Sequence, residues 1–113
     1  MTQQTTVFEE GASQVIGLSI ASGGTTTEAF DVSSAYSLGF IIPVLLTGAT
    51  LTVHVGTTLD GTFYSTGITL AGAAGVPAIS AADRETIRPF RFLKLVSASS
   101  EASARTVYVV TKD

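Results

Sequence analysis

The single histidine of the chain, His54, is the first residue to consider as a catalytic base or a metal ligand. It lies in the segment TLTVHVG, where it alternates with Thr52 on the polar face of a predicted strand. A base or a ligand needs partners close by, and the sequence contains no second histidine and no cysteine. We therefore interpret His54 as a surface or interface residue and predict no metal site.

The other catalytic patterns are also weak. Serine is abundant and Asp60 is close to His54 in sequence, so counting alone leaves a Ser-His-Asp arrangement open. No GxSxG motif places a serine nucleophile, however, and the Asp60-Gly61 pair is more typical of a tight turn than of a cation site. The glycines at 23–24 and 72–75 are followed by neither the lysine nor the long helix of a phosphate-binding loop. The sequence therefore predicts a protein that is not an enzyme and that binds no cofactor.

Charge is divided unevenly along the sequence. Residues 1–83 contain no lysine or arginine and carry a formal charge of −6, whereas the remaining residues carry +3. Because the pI is about 4.9 and no basic stripe is interleaved with stacking aromatics, we do not expect the chain to bind nucleic acid.

Four of the six basic residues form one concentration of charge near the end of the sequence. They are Arg84, Arg88, Arg91 and Lys94. Arginine makes paired hydrogen bonds to carboxylates, so this segment is a candidate docking patch for an acidic protein surface. The alternative is an ordinary solvated surface whose charge is offset by Asp83 and Glu85.

The composition is apolar for a globular protein. Hydrophobic residues make up 45% of the chain and charged residues 13%, where about 25% charged is typical. Part of the surface is therefore either covered by other protein or coated by threonine and serine, and the sequence leaves both readings open. The longest apolar run, residues 38–46, is far shorter than the ~20 residues of a bilayer-spanning helix, so no membrane association is expected.

Alternation of apolar and polar residues predicts about eight short strands. We place them at 14–20, 25–32, 36–42, 50–55, 68–70, 76–79, 90–97 and 104–111, with a returning segment that begins at Phe63-Tyr64. Apolar residues on both faces of the third strand, including Ile41, favour a central position in a sheet. Ser80 and Asp83 form a helix-capping pattern, and Pro89 limits that helix to about two turns.

Together these elements predict an all-β fold, an antiparallel β-sandwich of the jelly-roll type with one short helical turn. Residues 12–113 are interpreted as a single sandwich domain. Residues 1–11 lack periodicity and are predicted to form an extended N-terminal arm, in which Val7 and Phe8 are candidates for binding a partner.

Short motifs carry a resemblance to known proteins. The segment VHVG, the turn LDGTFY and the later strand RFLKL resemble discoidin-like jelly rolls and related carbohydrate-binding modules. The phrase FDVS at 30–33, the DGTFY turn, the strand at Arg91 and the closing strand that starts ART at 104–106 are similar to jelly-roll capsid cement, or decoration, proteins of tailed bacteriophages.

The second resemblance implies a structural virion protein that stabilises a phage capsid by bridging neighbouring capsid subunits. It implies the major capsid protein as partner, a homo-oligomer such as a dimer or trimer, and a location on the outer capsid surface after synthesis in the host cytoplasm. Many weak contacts would act together through multivalency. The alternatives are a carbohydrate-binding module or a fibre, neck or tail component, and the absence of tryptophan weighs against sugar binding because such modules stack sugars on aromatic rings.

Overall fold

The computed structural model describes residues 13–32 and 37–112, so the predicted arm with Val7 and Phe8 lies outside the described residues. Seven strands and one helix occur within these two ranges. They are β1 (Ser13–Ile20), β2 (Phe30–Asp31), β3 (Ser37–Ile41), β4 (Thr50–Gly56), β5 (Phe63–Ala71), α1 (Ala81–Ile87), β6 (Phe92–Ser97) and β7 (Arg105–Lys112).

The strands form two antiparallel sheets. One has three strands in the order β1-β7-β3, and the other has four in the order β2-β6-β4-β5. The predicted all-β antiparallel sandwich is therefore confirmed.

In the regular strands, the apolar residue at every second position points into the space between the sheets. The sequence predicted this alternation, and the residues predicted to face inward are buried in the structure. The largest fully buried side chains on the strands are Leu18, Ile20, Phe40, Leu51, Leu70, Leu93 and Leu95. Burying a side chain of this kind contributes roughly 1.5–3 kcal/mol, so this core is the main stabilising feature of the fold.

The prediction that the third strand is central is wrong. Its structural counterpart, β3, lies at the edge of the three-stranded sheet, and the side chain of Ile41 is 39% exposed. The apolar residue on the second face of this strand therefore marks an uncovered surface and not a second covering layer.

Three predicted strand ranges also differ from the structure. Within 25–32 only Phe30–Asp31 forms a strand, although Thr26 makes an isolated bridge to Val96. The predicted piece at 68–70 is the end of one nine-residue strand, β5. Residues 76–79 form no strand, and it is Gly75 that bridges to Ile42.

An irregularity in β5 explains why its sequence pattern is hard to follow. The register of β4 and β5 shifts between Thr52 and His54. On β5 the shift is accommodated by Gly67, which has a φ of +79°, and by Thr66, whose hydroxyl donates to the carbonyl of Val53 at 2.8 Å. A bulge of this kind inserts residues into one strand and interrupts strict alternation.

Helix α1 follows the predicted capping signals. The hydroxyl of Ser80 accepts a hydrogen bond from the backbone N–H of Asp83 at 3.0 Å, and the helix ends at Ile87, whose side chain is buried. Pro89 follows directly after the cap at Arg88, as expected for a helix stop. Across residues 13–32 and 37–112, no helix has both the length and the apolar character needed to cross a membrane.

Candidate functional site

The most strongly buried charged group in the described residues is the carboxylate of Glu101, in the connection between β6 and β7. One oxygen accepts from the backbone N–H of Thr47 at 2.8 Å and from Nε of Arg105 at 3.2 Å. The other accepts from the backbone N–H of Gly48 at 3.1 Å and from the hydroxyl of Ser97 at 2.8 Å. We name this arrangement of Glu101 and its four donors the Glu101 clasp.

The electrostatics of the clasp follow from these donors. Burial by itself raises the pKa of Glu101, but the hydrogen bonds from Thr47, Gly48, Ser97 and Arg105 outweigh it and lower the pKa to about 2. The carboxylate is therefore ionised at neutral pH. Both of its oxygens accept hydrogen bonds from donors of the chain itself. This arrangement fastens the connection before β4 to the connection after β6, so we assign it a structural role.

Gly48 is required by the close approach of these two connections. A Cβ at this position would lie 2.9 Å from the backbone nitrogen of Ala98 and would overlap the hydroxyl of Ser97. The sequence predicts no role for Glu101. It lies in a run of small residues without a local motif, so no signal in the sequence identifies it.

Two of the predicted docking residues belong to the four-stranded sheet or its border: Lys94 lies on the outer face of β6, and Arg91 directly precedes that strand. Arg91 makes a bidentate ion pair with Asp31, with its Nη2 and Nε 3.0–3.1 Å from the carboxylate oxygens. Its guanidinium carbon lies 5.1 Å from the ring centre of Phe92, and Nζ of Lys94 lies 4.6 Å from that of Phe63. These cations therefore cover the two aromatic rings of this face and are partly engaged already.

The other two predicted docking residues, Arg84 and Arg88, belong to α1 and its cap. Arg88 pairs with Glu85 at 2.8 Å, and Arg84 donates to the carbonyl of Ile79 at 3.3 Å. Part of the predicted patch is therefore already paired with acidic side chains. Arg88 is paired with Glu85 of the same helix, and Arg91 is paired with Asp31 of β2. The docking role of all four residues, like that of Val7 and Phe8, stays a prediction.

His54 lies on the outer face of β4, opposite Lys94 on β6 and Ser65 on β5. It is half-buried, and burial together with the nearby charge of Lys94 lowers its pKa below the ordinary value. Both causes disfavour the charged form of the imidazole. In the part of the chain that the structure describes, no group of three or more histidine, aspartate and glutamate side chains is placed to hold a metal ion.

An open cleft of about 470 Å³ lies beside this face, and acidic and basic groups both line it. The lining residues are Glu28, Ala29, Leu59, Asp60, Gly61 and Lys94. One oxygen of Glu28 is already occupied, since it accepts from the backbone N–H of Ser19 at 2.7 Å.

The outer face of the three-stranded sheet is different, because it is apolar. Its middle rows are formed by Val15, Val110 and Gly39, and by Gly17, Tyr108 and Ile41. The exposed fractions are 63% for Val15, 39% for Ile41 and 37% for Tyr108. We name the four side chains of Val15, Ile41, Tyr108 and Val110 the apolar face.

Gly17 and Gly39 contribute no side chain to these two rows. A Cβ at Gly17 would lie 3.5 Å from Cε1 of Tyr108, so the tyrosine ring lies across the glycine backbone. The only charged side chain among the described outward positions of these three strands is Lys112, at one end of β7. The connection after β3 adds further exposed apolar residues, with Val44 57% and Leu45 63% exposed.

A comparison with protein-family models finds no match, and a search of curated proteins finds none either. Among solved structures, the chain is similar to the crystal structure of SPBc2 prophage-derived protein YomS. The two are 12% identical, the match covers 90% of this chain and 96% of that one, and the TM-score is 0.59. At this identity the likeness is one of fold, and the fold that the two proteins share is the antiparallel β-sandwich described above.

Proposed function

We propose that this protein is a non-enzymatic structural protein of a phage virion, which decorates the capsid and stabilises it by bridging neighbouring capsid subunits. The observation that carries the proposal is the apolar face. A sheet surface with three exposed large apolar side chains and a charge only at its end is typical of a docking surface for protein. The fold shared with a prophage-derived protein supports the phage part of the proposal.

The energetics suit a cement protein. Burying apolar surface contributes roughly 25 cal/mol per Å², so a patch of only a few side chains gives modest affinity for a single copy. Identical contacts repeated over a shell add together, because release of the whole layer requires many contacts to break. The basic segment from Arg84 to Lys94 would supply a second, salt-sensitive contact to acidic shell surface.

The proposal is tested by mixing the purified protein with undecorated capsids of the phage that encodes it and measuring cosedimentation. The informative variant is Tyr108→Lys, which places a charge in the middle of the apolar face. The matched control is Tyr64→Lys, because Tyr64 is 66% exposed on the four-stranded sheet.

We expect Tyr108→Lys to weaken capsid binding by about tenfold or more, which corresponds to about 1.4 kcal/mol, while Tyr64→Lys binds as the unmodified protein does. Absence of cosedimentation by the unmodified protein would contradict capsid decoration. Equal binding by both variants would remove the apolar face from the proposal.

Sugar binding is the second candidate function, and the cleft lined by Glu28, Asp60 and Lys94 is the observation that favours it. The rings of Phe63 and Phe92 are covered by cations, which leaves Tyr64 as the exposed aromatic residue near this end of the sheet. A titration with sugars followed by NMR decides between the candidates. Saturable shifts at Tyr64 or His54 without capsid binding would favour the carbohydrate-binding module.

A further inference from the structure

The apolar face lies beside the point where the predicted arm joins the sandwich. Strand β1 begins at Ser13, which shares a row of the sheet with Lys112. The residues in register with the outer face form three successive rows from this end of the sheet. They are Ser13, Lys112 and Ser37 in the first row, Val15, Val110 and Gly39 in the second, and Gly17, Tyr108 and Ile41 in the third. Successive rows are about 6.8 Å apart, because a strand rises about 3.4 Å per residue.

The second row has a gap at Gly39. A Cβ at this position would meet nothing within 4 Å, so the space above it is open. Val110 lies beside Gly39 in the same row, and Ile41, which is 39% exposed, follows two residues later on the same strand. The gap is therefore bordered by apolar side chains, and it suits one large apolar side chain.

The first row presents a cation. Lys112 is exposed, and within residues 13–32 and 37–112 no carboxylate is paired with it. An occupant that fits this surface therefore carries a negative charge about 6.8 Å from a large apolar side chain, since that is the spacing of two rows.

The sequence directly before β1 carries these two groups at this spacing. Phe8 and Glu10 are two residues apart, so in an extended chain they point to the same side and are about 6.8 Å apart. Val7 and Glu9 point to the other side. Gly11 lies between Glu10 and β1, where the chain has to reverse its direction, and glycine accepts the backbone conformations of tight turns.

We propose that residues 5–10 fold back across the apolar face of their own chain. Glu10 then pairs with Lys112 in the first row, and the ring of Phe8 fills the gap above Gly39 in the second. We name residues 5–10 the strap.

The length of the chain allows this path. Gly39 lies about 12 Å from Ser13 in the plane of the sheet, given two strand spacings of about 4.8 Å and two rises of about 3.4 Å. The five residues from Ser13 to Phe8 span up to about 17 Å when extended, and the phenylalanine side chain adds to that reach. A short tether also holds the strap at a high effective concentration beside its own face, which favours this occupant over the same segment of a second copy.

The strap goes beyond the proposed function and has a consequence for it. It covers the surface that the capsid would bind, so docking on the capsid has to displace it. A variant with a weakened strap should therefore bind capsids more tightly than the unmodified protein. The strap itself is measured on the free protein, so failure of the strap and failure of capsid decoration are distinguishable.

The experiment is solution NMR of the purified 11.6 kDa chain in the absence of capsids. We expect nuclear Overhauser contacts between the ring protons of Phe8 and the methyl groups of Val110 and Ile41. A sample mixed from isotope-labelled and unlabelled chains separates contacts within one chain from contacts between copies, and we expect the contacts within one chain.

A pair of neighbouring substitutions tests which side of the strap faces the sheet. We expect Phe8→Ser to shift the amide resonances of Gly39 and Val110, because the ring leaves the space above them. The matched control is Val7→Ser, which removes the adjacent apolar side chain from the opposite side of the strap and should leave both resonances in place. Phe8 and Val7 lie outside the buried core, so both variants keep the sandwich fold.

Charge reversal tests the register. We expect Lys112→Glu to lower the population of the bound strap by about two- to fivefold, as expected for loss of an exposed ion pair, and the intensity of the Phe8 contacts measures that population. Adding Glu10→Lys should restore the intensity, because opposite charges meet again. The matched control adds Glu9→Lys in its place, and it should not restore the intensity, because residue 9 points away from the sheet.

Four outcomes would overturn the inference. The first two are absence of contacts between Phe8 and the apolar face, and contacts that arise only between copies. The third is an equal shift of the Gly39 resonance in Phe8→Ser and Val7→Ser. The fourth is a restored intensity that does not distinguish Glu10→Lys from Glu9→Lys, since the strap would then lack the proposed register.

Discussion

Two carboxylates of this protein, Glu101 and Asp31, each bind an arginine, but their surroundings are opposite. The Glu101 side chain is fully buried and accepts hydrogen bonds from four groups, whereas the Asp31 side chain is 38% exposed beside an Arg91 that is 61% exposed. The Asp31 pair has the better arginine geometry, since it is bidentate. Water nevertheless competes for it and screens it, so exposure and not geometry decides what each carboxylate contributes to stability.

The difference shows why charge counting along the sequence is a poor guide here. The sequence separates an acidic first part from a basic last part, yet Asp31 and Arg91 meet across strands β2 and β6. Glu101 and Arg105, in contrast, are close in sequence but matter because the backbone of Thr47 and Gly48 completes the site. Four predictions test this contrast, in order of decreasing effect.

The largest effect is expected for Glu101→Gln. The glutamine side chain carries an NH2 group, which would face hydrogen-bond donors of the clasp and could not accept from them. The change also removes the negative charge that pairs with Arg105. We expect the free energy of unfolding to fall by about 3 kcal/mol or more, measured by urea denaturation. The matched control is Glu85→Gln, whose side chain is 68% exposed in its pair with Arg88, and it should cost less than about 1 kcal/mol. Equal losses of unfolding free energy in the two variants would contradict the view that exposure decides what a carboxylate contributes to stability.

Acid should remove the contribution of the clasp from the unmodified protein. The pKa of Glu101 is lowered in the folded state from 4.5 to about 2, so its stabilisation is complete above pH 4.5 and is lost as pH falls toward 2. The loss attributable to this one group is up to about 3 kcal/mol over that interval. It is measured as the difference between the pH profiles of the unmodified protein and Glu101→Gln, and parallel profiles would show that Glu101 does not titrate as described.

The next effect is expected for Gly48→Ala, which tests the close approach within the clasp. The added methyl group would collide with the hydroxyl of Ser97 and the backbone of Ala98, so the carboxylate could no longer reach both N–H groups. We expect a loss of about 2 kcal/mol in thermal or urea unfolding. Gly39→Ala is the control, because its Cβ meets nothing within 4 Å, and a similar loss there would point to a general effect of glycine replacement.

The smallest effect is expected for Asp31→Asn on the exposed pair. Removing one charge should change the free energy of unfolding by less than about 1 kcal/mol, and about 0.5 M salt should shrink the difference further through screening. A loss as large as that of Glu101→Gln would mean that the geometry of the ion pair outweighs its exposure. Urea denaturation at low and high salt measures both points.

Much of the fold could be predicted because it depends on local alternation. A period of two in the sequence predicted which residues of β4, β6 and β7 face inward. Three of them, Val53, Leu95 and Val109, are fully buried. The short helix was recognisable from Ser80 and Pro89. The bulge in β5 and the edge position of β3 were not recognisable, since each depends on which strand lies alongside.

The sequence by itself determined that this chain forms a β-sandwich, because alternation of apolar residues decides which face of each strand must leave water. Only the tertiary structure decided where the uncovered surfaces lie. Val15, Ile41 and Tyr108 come from three distant parts of the chain and become one apolar face through the pairing of β1, β7 and β3. Tertiary structure also decided the role of Glu101, since its donors at 47, 48, 97 and 105 belong to segments that meet only after the sheets close. The physical reason is the same in both cases: burial and hydrogen bonding depend on neighbours in space, and strand order is not encoded in the period of any one strand.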